Sequence, residues 1–191
     1  MKLFILFFIC SWNMYSYKDS KILFYKLSDV IKSYDESRKV DFLLDVAFEY
    51  SEIKYLVRKI LTEHHLTLKE FKEKIKISTV TKFSYSLTRN NFSFIDGTIF
   101  LDGNALILDL LLDLTHELTH YAYVKKKLLN TDKKSFPLYL ESHLFSSGGE
   151  LHSFFNECKF LLRHFSFYQK ERRHCLLLGH IKENEIFLDK K

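Results

Sequence analysis

The chain has 191 residues, of which 47% are hydrophobic and 28% are charged, and its formal net charge is +5. This length suits one domain, and 19 Phe and 11 Tyr against 5 Gly and 1 Pro exclude a disordered chain over most of the length. Basic residues are interspersed with acidic ones, as in residues 69–74, which indicates a solvated helix face. The sequence contains no nucleic-acid-binding motif, and we expect no nucleic-acid partner.

The first residues have the pattern of a secretory signal peptide. Lys2 precedes an unbroken apolar run, residues 3–10, and polar residues follow it. This run is too short to span a membrane as a helix, so no stable membrane span is expected after its removal. We expect residues 1–16 to be a signal peptide and the protein to be exported to a periplasm or secreted; a buried N-terminal strand is the alternative. A lipid anchor at Cys10 is a further option, although bulky residues precede that cysteine where a lipobox has small ones.

The N-terminal part, residues 20–76, is predicted to be helical. Apolar residues recur at helical spacing over residues 20–32, and again over residues 35–63, which are read as one long helix or two abutting helices. Thr67 and Glu70 have the spacing of a capping box, which predicts a short helix to about residue 75.

The C-terminal part, residues 80–191, mixes strand and helix patterns. The expected elements are a small antiparallel sheet with a hairpin turn at Asp96-Gly97, two helices and a C-terminal hairpin, over residues 80–87, 92–101, 104–127, 150–168, 175–181 and 185–188. The predicted fold class is therefore α+β and mostly helical. Cys158 and Cys175 are read either as a disulfide or as two buried free thiols.

The stretch LTHELTHYAY, residues 114–123, carries the chemistry. His116 and His120 are four residues apart in the predicted helix, so both imidazoles leave one face, where a single tetrahedral Zn²⁺ can accept both. Glu117 is rotated off that face and can act as a base on a water at the metal, whose pKa zinc lowers. A random ordering of this composition contains roughly 0.03 such HExxH matches, and Glu117 is the only charged residue in 114–122 when histidine is counted neutral. A core helix with two hydrogen-bonded histidines is the alternative.

With this motif the chain resembles the zincin metallopeptidases. The metzincin branch requires Gly and His where this chain has Tyr123 and Lys126, so the resemblance is to the gluzincins, which take a glutamate from a downstream helix as third ligand. Glu150 is the favoured ligand, because residues 150–154 are similar to the E-x-x-small-D signature of one gluzincin group. Phe154 stands where that signature has Asp, so the partner of a ligand histidine must come from elsewhere, with Asn156 and Glu157 as candidates.

Other assignments of the third ligand stay open. Glu157, Glu141 and His143 are alternative ligands, and Glu157 is also a candidate for contacting a ligand histidine. Ser147 and Glu150 also fit a capping box, in which Glu150 would only cap the helix. The strand before the motif, residues 98–101, stands where zincins pair with extended peptide substrate.

The resemblance implies a zincin-like domain over residues 17–191, with an active-site helix and a downstream glutamate-bearing helix. It implies one Zn²⁺ held by His116, His120 and Glu150, and hydrolysis of a peptide or protein substrate with Glu117 as general base. A zinc hydrolase acting on a non-peptide amide, or a zinc-stabilised binding module without catalysis, is the alternative function.

Overall fold

The computed structural model describes residues 20–31, 35–78, 98–123, 144–145 and 147–178. Within these residues the chain is mostly helical and has one two-stranded sheet. The elements in chain order are α1 (Leu27–Val30), α2 (Glu36–Ala47), α3 (Ser51–His64), α4 (Leu68–Glu73), β1 (Ile75–Ser78), β2 (Ile99–Asp102), α5 (Ile107–Tyr123), α6 (Glu150–His164) and α7 (Arg173–Leu178), with 3-10 helices at Ser20–Phe24 and Ser166–Tyr168.

The helical pattern of residues 35–63 forms two abutting helices. Asp35 caps α2 by accepting a hydrogen bond from the Ser37 amide at 3.0 Å, and the chain turns at residues 48–50 before α3 begins. The capping box before α4 is also confirmed. Thr67 Oγ1 accepts from the Glu70 amide at 3.3 Å, and the Thr67 amide donates to Glu70 Oε2 at 2.8 Å.

The single first helix expected over residues 20–32 is wrong. A 3-10 helix ends at Phe24, and α1 begins only at Leu27. Between them the backbone pairs with the start of α5, because the Ile107 amide donates to the Tyr25 carbonyl at 3.0 Å and Lys26 forms an antiparallel bridge with Leu106. This long-range pairing takes the backbone groups that a continuous helix would have used within itself.

The antiparallel arrangement expected for the sheet is also wrong. β1 and β2 are parallel, with Ile75 opposite Ile99 and Ile77 opposite Leu101. These four side chains are all buried, so the pair covers the core with one face. The short helix expected to reach about residue 75 stops at Glu73, and β1 begins at Ile75.

Helix α5 runs through the centre of the hydrophobic core. Its apolar residues are fully buried against α2, α3, α6 and β2, and they include Ile107, Leu108, Leu110, Leu111, Leu112, Leu114 and Leu118. The same hydrophobic core contains side chains from the N-terminal helices and from α6. Residues of the N-terminal part, 20–76, and of the C-terminal part, 80–191, therefore pack in one core. This burial on all sides explains why the helix upstream of the histidines is almost uniformly apolar.

Residues 173–178 form helix α7, so the C-terminal hairpin expected from residue 175 onward is wrong in this region. Cys175 is fully buried and forms a disulfide with Cys158 of α6. Of the two alternatives for this pair, the disulfide is therefore the one that the structure shows. Helix α6 ends at His164, and a short 3-10 helix completes the segment expected to reach residue 168.

None of the described helices is both long and apolar enough to cross a membrane.

Several expectations lie outside the described residues. They are the signal peptide at 1–16 with Cys10, the strand at 80–87, the turn at Asp96-Gly97, the ligand candidates Glu141 and His143, and the strand at 185–188.

Candidate metal centre

Helix α5 presents both histidines of the motif to one point. The Nε2 atoms of His116 and His120 are 3.1 Å apart, as the four-residue spacing predicts. His120 is only 4% exposed, and the His116 side chain is 12% exposed. The two nitrogens therefore meet at a largely buried point on the side of α5 that faces α6.

Glu150 brings a carboxylate to the same point. Its Oε2 lies 3.3 Å from His116 Nε2, and its Oε1 lies 3.5 Å from His120 Nε2. Gly149 is the N-cap of α6 and Glu150 is the first helical residue, without a side-chain cap hydrogen bond. A capping box would place Glu150 at the third helical position, so that alternative reading is wrong. The Glu150 side chain is 31% exposed and marks the solvent-facing side of the cluster.

The outer nitrogens of both rings have hydrogen-bond acceptors as partners. His120 Nδ1 lies 2.7 Å from the carbonyl oxygen of Gly148, and His116 Nδ1 lies 3.2 Å from Glu157 Oε2. A carbonyl or a carboxylate oxygen only accepts, so each Nδ1 carries the proton and donates. The Nε2 lone pairs of both rings are then directed at each other and at the Glu150 carboxylate.

This donor set fits a tetrahedral metal ion. The lone pairs of the two Nε2 atoms and the Glu150 carboxylate repel one another at this distance unless a proton or a cation lies between them. A zinc ion bound at 2.0–2.1 Å by tetrahedral ligands separates their donor atoms by roughly 3.3 Å. The three separations here are 3.1, 3.3 and 3.5 Å. Two imidazoles with one carboxylate, each ring held by an outer acceptor, are also the ligand chemistry of catalytic zinc sites.

The electrostatics of the cluster favour positive charge. Burial lowers the pKa of His116, but its contacts with the Glu150 and Glu157 carboxylates outweigh burial and raise that pKa to about 9. In the absence of a cation the cluster would therefore attract a proton at neutral pH.

Glu117 lies beside the cluster rather than within it. Burial raises the pKa of its carboxyl, and the nearby His120 and His116 rings oppose that rise while Glu150 adds to it. Glu117 is thus close enough to interact with all three candidate ligands. Among the described residues, the group at this point whose donor atoms could hold a metal ion consists of His116, His120 and Glu150, and it does not include Glu117.

Residue 154, where the gluzincin signature has Asp, contributes a ring instead. Phe154 packs edge-on against His116 with their ring centroids 4.6 Å apart. The partner of His116 Nδ1 is Glu157, one helical turn further along α6. Asn156, the other candidate for this contact, donates instead to Thr119 Oγ1 at 3.3 Å. Glu157 therefore contacts a candidate ligand from outside and is not among the three that converge.

The Gly148 carbonyl is a part of the site that the sequence did not predict. Gly148 has φ of 82°, its carbonyl oxygen lies 2.7 Å from His120 Nδ1, and its amide donates to His152 Nδ1 at 2.9 Å. The glycine pair was a signal for unusual backbone, but a backbone acceptor has no side-chain signature.

Comparisons of this chain with protein-family models, with curated proteins and with solved structures find no match.

Proposed function

We propose that this protein is a zinc-dependent metallopeptidase of the gluzincin kind. The observation that supports the proposal is the convergence of His116 Nε2, His120 Nε2 and the Glu150 carboxylate at 3.1–3.5 Å, with both Nδ1 atoms held by outer acceptors. A core helix with two ordinary histidines would have no reason to direct both lone pairs at a carboxylate from another helix.

Each residue has a separate role in this proposal. His116, His120 and Glu150 would hold one zinc ion, and Gly148 and Glu157 would orient the two rings. Zinc bound there would lower the pKa of a coordinated water and polarise the substrate carbonyl. Glu117 would accept the proton of the attacking water and deliver it to the leaving amine.

A peptide is the favoured substrate because of the strand that precedes the motif helix. β2 leads into α5, and Phe100 on this strand is 61% exposed. An extended peptide could align along such a strand and place a carbonyl at the metal. A non-peptide amide would use the same chemistry, and a panel of peptide and small-amide substrates separates these two outcomes.

Export is part of the proposal. It rests on the apolar run at residues 3–10, and the disulfide between Cys158 and Cys175 is compatible with an oxidising compartment.

The experiment compares the wild-type protein with Glu117→Gln. Both proteins should contain about one zinc per chain by elemental mass spectrometry, because Glu117 is not a ligand. Hydrolysis of a quenched fluorescent peptide library by Glu117→Gln should fall by about 10²–10⁴-fold, since the general base is lost.

Glu171→Gln provides the control, because this exposed glutamate lies outside the cluster and its substitution should change neither zinc content nor hydrolysis. Wild-type protein that binds no zinc would overturn the proposal. Zinc binding with equal activity of wild type and Glu117→Gln would instead leave a metal site without the proposed catalysis.

A further inference from the structure

Glu157 is the most deeply buried carboxylate near the candidate metal centre, with a side chain only 2% exposed. Its two oxygens have different partners. Oε2 accepts from His116 Nδ1, whereas Oε1 lies 3.0 Å from His174 Nε2 and 3.4 Å from Arg172 Nη1. A buried carboxylate of this kind is stable only when its lone pairs are matched by donors, so these partners determine where Oε2 points.

Arg172 connects Glu157 to the helix that carries the histidines. Its Nη2 donates to Asp109 Oδ1 at 2.9 Å and to Asp113 Oδ1 at 3.0 Å, while Nη1 donates to Glu157. Asp109 and Asp113 lie on α5, seven and three residues before His116. One planar guanidinium therefore fixes the distance between the Glu157 carboxylate and the motif helix.

The disulfide reinforces this geometry. Cys158 follows Glu157 in α6, and Cys175 lies three residues after Arg172, so the bond ties the Arg172 segment to the helix that carries Glu157. Phe154 fills the space between the rings of His116 and His174, with centroid distances of 4.6 and 5.0 Å. The carboxylate is thus enclosed by groups that leave it little freedom to rotate.

From these contacts we infer that Arg172 is a positioning residue for metal binding, which acts through Glu157 on the orientation of His116. Arg172 touches neither the candidate ligands nor the space between them. Arg172 instead contacts Glu157, and Glu157 accepts the hydrogen bond from the candidate ligand His116. This inference rests on the proposed metal site, and it extends the site to a residue of the C-terminal segment.

The experiment is a double-mutant cycle read by zinc affinity, measured by competition with a chromophoric chelator. Glu157→Gln should weaken zinc binding by about 10- to 100-fold, and Arg172→Gln should weaken it by about 3- to 10-fold. If Arg172 acts through Glu157, the double variant should bind zinc no more weakly than Glu157→Gln alone. Arg173→Gln is the matched control, because it removes the same charge at the adjacent, exposed position and should bind zinc as the wild type does.

Two results would overturn the inference while leaving the proposed function intact. One is an affinity of Arg172→Gln equal to that of Arg173→Gln, and the other is a double variant in which the two losses add. If Arg172→Gln does not fold, Arg172→Lys decides the question. Its single ammonium keeps the charge but cannot span both carboxylate groups as the planar fork does, so a wild-type zinc affinity of this variant would also overturn the inference. Absence of zinc binding in the wild type would instead remove the proposed metal site itself.

Discussion

Gly148 contributes its backbone to the candidate metal centre. Its φ of 82° lies in the left-handed region, where a Cβ atom costs about 1–2 kcal/mol. We expect Gly148→Ala to lower the free energy of unfolding of the metal-free protein by about that amount in urea denaturation. The carbonyl that accepts from His120 Nδ1 should also shift, so zinc affinity should fall by about 10-fold.

Gly149 is the control for this prediction, because it is equally buried but has φ of −77°, which any residue adopts. Gly149→Ala should cost less than about 1 kcal/mol, the ordinary preference of an N-cap for glycine over alanine. Equal losses from the two substitutions would show that the added methyl group, and not the backbone conformation, causes the effect.

At the level of single residues, the sequence predicted the candidate ligands better than their surroundings. The positions of His116 and His120 follow from helix geometry alone, since residues four apart share a face. Glu150 required the family resemblance in addition. The sequence predicted the acceptors behind the two rings only in part. Glu157 was one of two candidates, whereas the Gly148 carbonyl has no side-chain signature and depends on how α6 packs against α5.

Ser153 lies on the same face of α6 as Glu150 and Glu157, which both contact His116 of α5. The Ser153 side chain is fully buried, and among the described residues no hydrogen-bond partner lies within reach of its hydroxyl. Ser153→Ala should therefore raise the free energy of unfolding by about 1 kcal/mol, because it removes an unsatisfied polar atom and improves helix propensity. Denaturant unfolding monitored by circular dichroism measures this change.

We expect the small size of the Ser153 side chain, rather than its polarity, to matter for the packing of α6 against α5. Ser153→Leu should destabilise the protein by about 1–3 kcal/mol, since the larger group overpacks the contact between the two helices. It should also weaken zinc binding, because Glu150 reaches the histidines only when α6 lies close to α5. Loss of stability in Ser153→Ala as well would show that the hydroxyl has a partner and that polarity matters here.

Elements defined by local signals were predicted well, and those defined by long-range pairing were not. The capping box at Thr67 and the two abutting helices follow from residues within a few positions of each other. The pairing of β1 with β2 joins residues 24 positions apart, and no local pattern encodes whether such a pair is parallel. The alternation of Ile75 and Ile77 is typical of a strand, but a strand of four residues directly after a helix offers only these two alternating positions.

Across the whole molecule, Glu52 ties the N-terminal helices to the end of α6. At the start of α3 its Oε1 accepts from Arg163 Nη1 at 2.7 Å and lies 3.1 Å from His164 Nε2. Burial raises the pKa of Glu52, but its own backbone amide and its hydrogen bonds to Arg163, Ser51 and His164 outweigh burial and lower that pKa to about 2. The contact therefore joins the start of α3 to the end of α6 through one ionised carboxylate.

This pKa makes a part of the stability depend on pH. Because the pKa of Glu52 in the folded protein is below its unfolded value of 4.5, its stabilising contribution is complete above pH 4.5 and is lost as the pH falls from 4.5 towards 2. Arg163 is 64% exposed, so solvent screening reduces the contribution to about 1 kcal/mol. Glu52→Gln should thus lower the free energy of unfolding by about 1 kcal/mol at pH 7, and the difference from wild type should shrink between pH 4.5 and 2.

Urea denaturation of both proteins across this pH range measures the effect, with Glu63→Gln as the control on the same helix. Glu63 pairs with Lys59 at 3.1 Å within α3, so its substitution removes a glutamate charge without touching α6 and should cost less than about 0.5 kcal/mol. A pH-independent difference between wild type and Glu52→Gln would mean that Glu52 acts through packing. In that case the ion pair with Arg163 would not be what holds the N-terminal helices to the helix that carries Glu150 and Glu157.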